Sequence, residues 1–299
     1  MFNFGKSFRQ ALTRGDVLAA PGVYDLLSAT IAGQQYGVLL VGGEGMGAAQ
    51  HGLPDLGLVS WSDLLGLAQR IRHVMPRHHL LVDLGGGYYS REILTHLTAA
   101  LCTAGASGVL VDDRLASPAD GTPGGILSIS DFLATLDCLA AVRGEMVLVA
   151  RTWAAERKEI NRRILGLIDS KAGVDVVMPA GARLPADVDV GSKLGRAKIA
   201  AAVMQPGGTA SMNCSLSELR AAGIRLVVYP SVMLRSATVG MQQSLGSMKS
   251  TDGRPPTTGE VPQGEALDDI LRDNLRCRDD GTRGAVVSLF DIRKDSVAS

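Results

Sequence analysis

Paired cysteines are the first thing this sequence lacks. Its four cysteines, Cys102, Cys138, Cys214 and Cys277, are far apart and form no CxxC unit. That argues against a disulfide framework and points to reduced thiols in a cytoplasmic protein. An excess of charge is also missing. Thirty basic and thirty acidic residues cancel to a formal net charge of zero, which excludes a general nucleic-acid or anionic-membrane surface and leaves room only for a local basic patch. No apolar run reaches the ~20 residues that span a bilayer. The first stretch, MFNFGKSFRQALTRGDVL, is amphipathic and has neither the apolar core nor the cleavage site of a signal peptide. No GxGxxG opens the first strand-to-helix turn, so an open dinucleotide-binding sheet is disfavoured. The expected partner is a small molecule, with no nucleic acid and no membrane.

What is present is a regular alternation. With 46% apolar residues in 299, the chain can bury a large core. Eight short runs read as strands: 17–25, 37–45, 79–86, 108–114, 145–153, 174–181, 197–204 and 224–231. Most are continuously apolar, as parallel strands covered on both faces require. Amphipathic stretches such as WSDLLGLAQRIRHVM and REILTHLTAALCTAG lie between them. The pattern predicts an α/β fold, a (β/α)8 TIM barrel over residues 1–248. Its weakest link is 182–196, which leaves little room for a full helix. A Pro/Gly linker, a short helix (LDDILRDNLRC) and a polar tail fill 249–299.

In such a barrel the chemistry sits at the C-terminal strand ends. Those ends carry Tyr24 and Asp25, then Gly42, Gly43 and Glu44, then Asp83, Asp112 with Asp113, Arg151 with Thr152, and Tyr229 to Ser231. Three acidic ends and one arginine suggest a cation site facing an anionic substrate. The stretch LVDLGGGYYS raises the question most sharply, because Asp83 ends an apolar strand and is followed by three glycines. Each candidate has a plainer reading. Asp83 can cap the following loop through backbone N–H groups. Asp55 in GLPDLG can be a turn residue. Asp113 rather than Asp112 can be the one facing inward, and Tyr24 can be packing. Arg151 is an anion or ion-pair partner inside the mouth. His51 beside the GLPDLG loop can donate protons or simply lie on the surface. His78 and His79 belong to the opposite barrel end. QPGGTAS (205–211) is either an anion cradle or a flexible loop.

Ordered motifs then resemble one family. APGVYDLLSATIAGQQYG, HGLPDLGLVSWSDLLGLAQRI, GVLVDDR and VLVARTWA resemble successive segments of the isocitrate lyase/phosphoenolpyruvate mutase superfamily over roughly 18–245. The resemblance implies a barrel lyase in which Mg²⁺ holds a 2-oxo or 2-hydroxy acid and stabilises an enolate. It implies catalytic roles for Asp83, Arg151, Tyr24 and Asp55, substrate contacts from Gly42, Gly43, Arg151 and Trp153, and metal ligation by Asp83 and Asp112. It also implies a homodimer or homotetramer, with the C-terminal helical extension exchanged between subunits. The departures are specific. Gly85 stands where the family has a second carboxylate, Asp112 where it has Glu, Trp153 where it has Asp, Pro179 where it has Glu, and Gly42 where it has Ser or Thr. ASPADGTPGGILS holds no cysteine, lysine or histidine for the family's K-K/R-C-G-H loop. Three functions remain open: a divergent lyase for a small carboxylic acid, a metal-independent barrel enzyme of other chemistry, and a non-catalytic acid-binding protein.

Overall fold

All eight apolar runs become parallel strands. The structure, a computed structural model, describes residues 3–53, 57–86, 90–115, 124–170, 172–180, 194, 199–205, 213–256, 267–272 and 274. The strands are β1 (Leu18–Val23), β2 (Val38–Val41), β3 (His79–Asp83), β4 (Gly108–Asp112), β5 (Val147–Thr152), β6 (Val176–Pro179), β7 (Ala200–Met204) and β8 (Ile224–Tyr229). They close in sequence order, β1 pairing with both β2 and β8. Nearly every strand stops short of its expected C-terminal limit, because the last residues leave the ladder to build the mouth. The run at 37–45, for example, ends at Val41, and Gly43–Met46 turns into a short helix, α3.

The helices are α1 (Phe4–Thr13), α2 (Leu26–Gly33), α4 (Trp61–Val74), α5 (Arg91–Thr103), α6 (Ile129–Val142), α7 (Arg157–Asp169), α8 (Leu216–Ala221) and α9 (Val232–Ser250). Local chemistry starts them where polar residues precede apolar stripes. Asp25 with Ser28, Ser60 with Asp63, and Ser215 with Glu218 form reciprocal caps. The weak link between β6 and β7 lies largely outside the described residues.

Strand alternation sorts the core into two layers. Leu18, Ala20, Val38, Leu40, Leu81, Leu110, Val147, Val149, Val176, Met178, Ala202, Leu226 and Val228 fill the barrel interior. Their neighbours Leu39, Val41, Leu80, Val82, Val109, Val111, Leu148 and Val177 face the helices. The amphipathic N-terminus is α1, and it closes the barrel floor. Phe8, Ala11 and Leu12 join the interior cluster, and Phe8 stacks on His79 at 5.1 Å. Arg9 fixes this plug through Asp175 at 2.7 Å. His79 is thus floor packing, at the end of the barrel away from the mouth.

Two features touch this packing only at its edge, α9 through Met233. Helix α9 buries none of its 19 residues, and Val239, Met241 and Leu245 are 51%, 59% and 65% exposed. A short helical segment at 267–272 lies beside α2 of its own chain, where Asn274 donates to Thr30 Oγ1 at 2.9 Å. No helix among the described residues is long and apolar enough to cross a membrane.

Candidate active site

The interior alternation carries straight into the mouth. Leu81 and Leu110 point inward, and two residues later so do Asp83 and Asp112; Val149 is followed in the same way by Arg151. Register places Asp112 beside Arg151 and Asp83 beside Leu110. These three strand ends therefore meet above a dry apolar floor.

Arg151 joins them. Its Nη1 donates to Asp83 Oδ2 at 2.7 Å and its Nη2 to Asp83 Oδ1 at 2.9 Å, a two-pronged grip on one carboxylate. Nη2 also donates to Asp112 Oδ2 at 2.8 Å, and Nε to the same oxygen at 3.3 Å. Burial works against the guanidinium's charge, yet the two carboxylates and their hydrogen bonds outweigh it and raise the Arg151 pKa. Asp112 is sealed, whereas the Asp83 side chain keeps 14% of its surface exposed. Asp83 also caps its own loop, accepting from Gly85 N at 2.9 Å. The plain reading of Asp83 as a loop cap thus holds, alongside its ion pair with Arg151.

Trp153 and Arg114 complete the cluster. The Trp153 indole N–H donates to Asp112 Oδ2 at 2.8 Å. The Arg114 guanidinium lies 4.4 Å over the Trp153 ring, with its Nε 3.4 Å from Asp112 Oδ2. Its side chain is 42% exposed, so it is the solvent-facing cation of the group. Two carboxylates against two guanidinium groups leave this cluster formally neutral.

Asp113 turns the other way. It accepts from Thr152 Oγ1 at 2.5 Å, Trp153 N at 2.9 Å and Arg163 Nη1 at 2.8 Å. Burial pushes its pKa up, against those hydrogen bonds. Arg163 also donates to Leu127 O at 2.6 Å, and Leu127 N donates to Asp113 O. This knot fixes the base of the segment between β4 and α6 and the backbone of Trp153. Residues 116–123 of that segment, where the family's cysteine loop would fall, lie outside the described residues, and so do Asp55 and most of QPGGTAS.

The remaining candidates have these places. Gly42 sits against Asp83, since a Cβ there would stand 3.5 Å from the Asp83 Cβ. Gly43 opens α3, and Glu44 accepts from Ser231 Oγ at 2.7 Å, tying the ends of β2 and β8. Tyr24 packs against Gly45, outside the hydrogen-bonded cluster, and burial raises its pKa. Asp25 is a helix cap and His51 lies exposed in a short π-helical turn (Gly47–His51).

One sequence expectation needs correction. Gly85 stands where the family has a second carboxylate, and strand alternation would set that position beside Asp83, but β3 ends at Asp83 and Gly85 turns with φ +58°. A carboxylate there would need the left-handed region that glycine tolerates. The paired N–H groups of Arg151 grip Asp83, the ion-pair alternative for that residue. Arg114 and Arg163 escaped notice. Arg114 directly follows the acidic pair in GVLVDDR. Arg163 lies on the buried stripe of α7 with Ile160, Ile164 and Leu167, and an arginine on an apolar stripe signals a buried partner.

Asp83 and Asp112 were also the expected Mg²⁺ ligands, and the donor set does not fit that ion. Asp112 Oδ2 already receives three N–H donors, and its Oδ1 accepts from Arg114 N at 3.1 Å. Among the described residues no group of three or more His, Cys, Asp or Glu side chains converges as metal ligands.

Comparison with known proteins agrees with this architecture. The family model described as phosphoenolpyruvate phosphomutase matches residues 8–249. The 2-methylisocitrate lyase of Halalkalibacterium halodurans is 25% identical over 236 residues, covering 77% of each chain. The structure of oxaloacetate acetylhydrolase with 3,3-difluorooxalacetate superposes with a TM-score of 0.81 at 22% identity, over 96% of this chain and 99% of that one. Phosphonopyruvate hydrolase, solved with oxalate and Mg²⁺, gives 0.77 at 21% identity, over 93% and 97%.

Proposed function

This chain belongs to the phosphoenolpyruvate phosphomutase family, and we propose that it is a lyase cleaving a carbon–carbon bond in a small 2-oxo or 2-hydroxy carboxylic acid. The observation that carries the reading is the Asp83–Arg151–Asp112 cluster, set at the C-terminal strand ends with the exposed cation Arg114 beside it. Relatives whose names specify methylisocitrate, dimethylmalate and oxaloacetate chemistry support that substrate class.

In this reading Arg114 pairs with the substrate carboxylate, and the Trp153 face beneath it limits where the guanidinium can go. Gly42 and Gly43 leave room for the acid, and Trp153 walls it. For a 2-hydroxy acid, Asp83 takes the hydroxyl proton. The freed electron pair forms the carbonyl, the adjacent C–C bond breaks, and its electrons leave on the other fragment as an enolate that the guanidinium charge stabilises. The proton on Asp83 then quenches that fragment. Tyr24 and Asp55 stay in the proposed catalytic set on the family resemblance. Mg²⁺ does not fit the described donors, so no step here passes through a metal.

The same reading includes assembly. Helix α9, with Val239, Met241 and Leu245 open, and α2, with Leu26, Leu27 and Ile31 exposed, both offer apolar surface. Burial of such surface between copies gives a homo-oligomer of even order. The test of function is product analysis by NMR across a panel of 2-oxo and 2-hydroxy diacids, with full-length protein. Appearance of a shorter 2-oxo acid supports a lyase. Saturable binding without turnover across the panel contradicts it and favours an acid-binding barrel.

A further inference from the structure

We propose that Arg151 occupies the role of the divalent cation in this barrel, as the built-in counter-charge of Asp83 and Asp112, so that the mouth holds its acid without a metal ion. The proposal rests on the family reading for the class of ligand only. Its support is the state of the carboxylates.

A carboxylate oxygen offers about two in-plane lone pairs. Asp112 Oδ2 receives Arg151 Nη2 at 2.8 Å, Arg151 Nε at 3.3 Å and the Trp153 indole N–H at 2.8 Å. Asp83 Oδ1 receives Arg151 Nη2 and Gly85 N, each at 2.9 Å, and Oδ2 receives Arg151 Nη1 at 2.7 Å. Asp83 Oδ2 keeps one free site, and so does Asp112 Oδ1, which accepts from Arg114 N at 3.1 Å. Mg²⁺ keeps several of its roughly six oxygens as water, but it still needs open carboxylate oxygens and a surplus of negative charge, and this cluster is formally neutral.

Of the two nitrogen partners, Arg151 stands where the family it resembles also carries arginine, and Trp153 is the position that departs. Arg151 makes four hydrogen bonds to the pair and is 3% exposed, so a cation entering between the carboxylates would strip it of its partners inside a dry site. Trp153 stands where related sequences carry an acid, and it supplies a donor to the very oxygen an ion would need. Gly85, at φ +58°, adds no oxygen-bearing side chain. A guanidinium is also permanent: it titrates in no accessible range and cannot be removed by a chelator.

The experiment uses Mn²⁺ as a paramagnetic stand-in for Mg²⁺, followed by the EPR signal of the free ion. Metal-stripped full-length protein is titrated with and without oxalate. The wild type is expected to leave the free-ion signal unchanged in both conditions. Arg151→Gln, which frees both carboxylates, is expected to bind Mn²⁺ at least about tenfold tighter than wild type. Mn²⁺ bound by wild type, alone or only with oxalate, and lost in Asp83→Asn, overturns the proposal. A folded Arg151→Gln that gains no affinity overturns it too. If Arg151→Gln does not fold in metal-free buffer, recovery of its circular dichroism by Mn²⁺ supports the idea and absence of recovery opposes it. Failure of the lyase reading would look different, as lack of turnover with the metal result unchanged.

Discussion

Arg163→Met isolates the knot behind the site. Arg163 is 3% exposed and Asp113 is fully buried, and their contact is 2.8 Å. Methionine keeps the alkyl length and packs on the stripe of Ile160, Ile164 and Leu167, so the change is chiefly electrostatic. The lost contact to Glu159 is partly solvated and matters little. What dominates is a carboxylate left buried with Thr152 Oγ1 and Trp153 N as its partners but no cation. Breaking such a pair costs about 3–5 kcal/mol, and the better apolar packing returns roughly 1. A net loss near 3 kcal/mol at neutral pH is expected in urea unfolding. The sign with pH is defined. Asp113 is an acid whose folded pKa is already raised, and removing Arg163 raises it further. Its protonated form is the tolerable one, so the penalty should shrink as pH falls through the raised pKa, by up to about 1.4 kcal/mol per unit. Asp113→Asn added to Arg163→Met should recover part of the loss. A penalty under about 1 kcal/mol, or one constant from pH 7 to pH 5, would refute the reasoning.

Other expectations follow from other parts of the molecule. Burial lowers the His79 pKa from 6.5 to about 3, so only the unfolded chain takes up that proton between those values. Stability should therefore be complete above pH 6.5 and fall as pH drops, by about 2 kcal/mol from 6.5 to 5, and His79→Phe should remove that part of the dependence. Arg114→Ala should raise KM for the acid about tenfold or more, with Arg114→Lys recovering only part, because the planar fork and its stacking on Trp153 are lost. Leu245→Glu on α9 should lower the mass seen by light scattering, and an unchanged monomer mass in wild type would contradict the assembly.

The fold was legible because two signals agreed: eight apolar runs and the polar starts of the helices between them. Both depend on local spacing, which a sequence displays. The mouth was half legible. Asp83, Asp112 and Arg151 stand at strand ends, and period-two alternation carries them inward together. Their mutual pairing was not legible, since it depends on register between β3, β4 and β5 and on the reach of a guanidinium across two strands. Alternation misled at Gly85 because the strand ends two residues earlier. Trp153 stands in the sequence as a lost acid, whereas its indole N–H is what meets Asp112.

The most direct measurement is kcat/KM for the best acid of the panel, compared between wild type and Asp83→Asn, both metal-stripped. Arg151 keeps Asp112 in the variant, so circular dichroism and oligomeric mass should be unchanged. The account predicts a loss of about a hundredfold or more, carried by kcat, as removal of a catalytic base requires. Equal rates in the two proteins would contradict it.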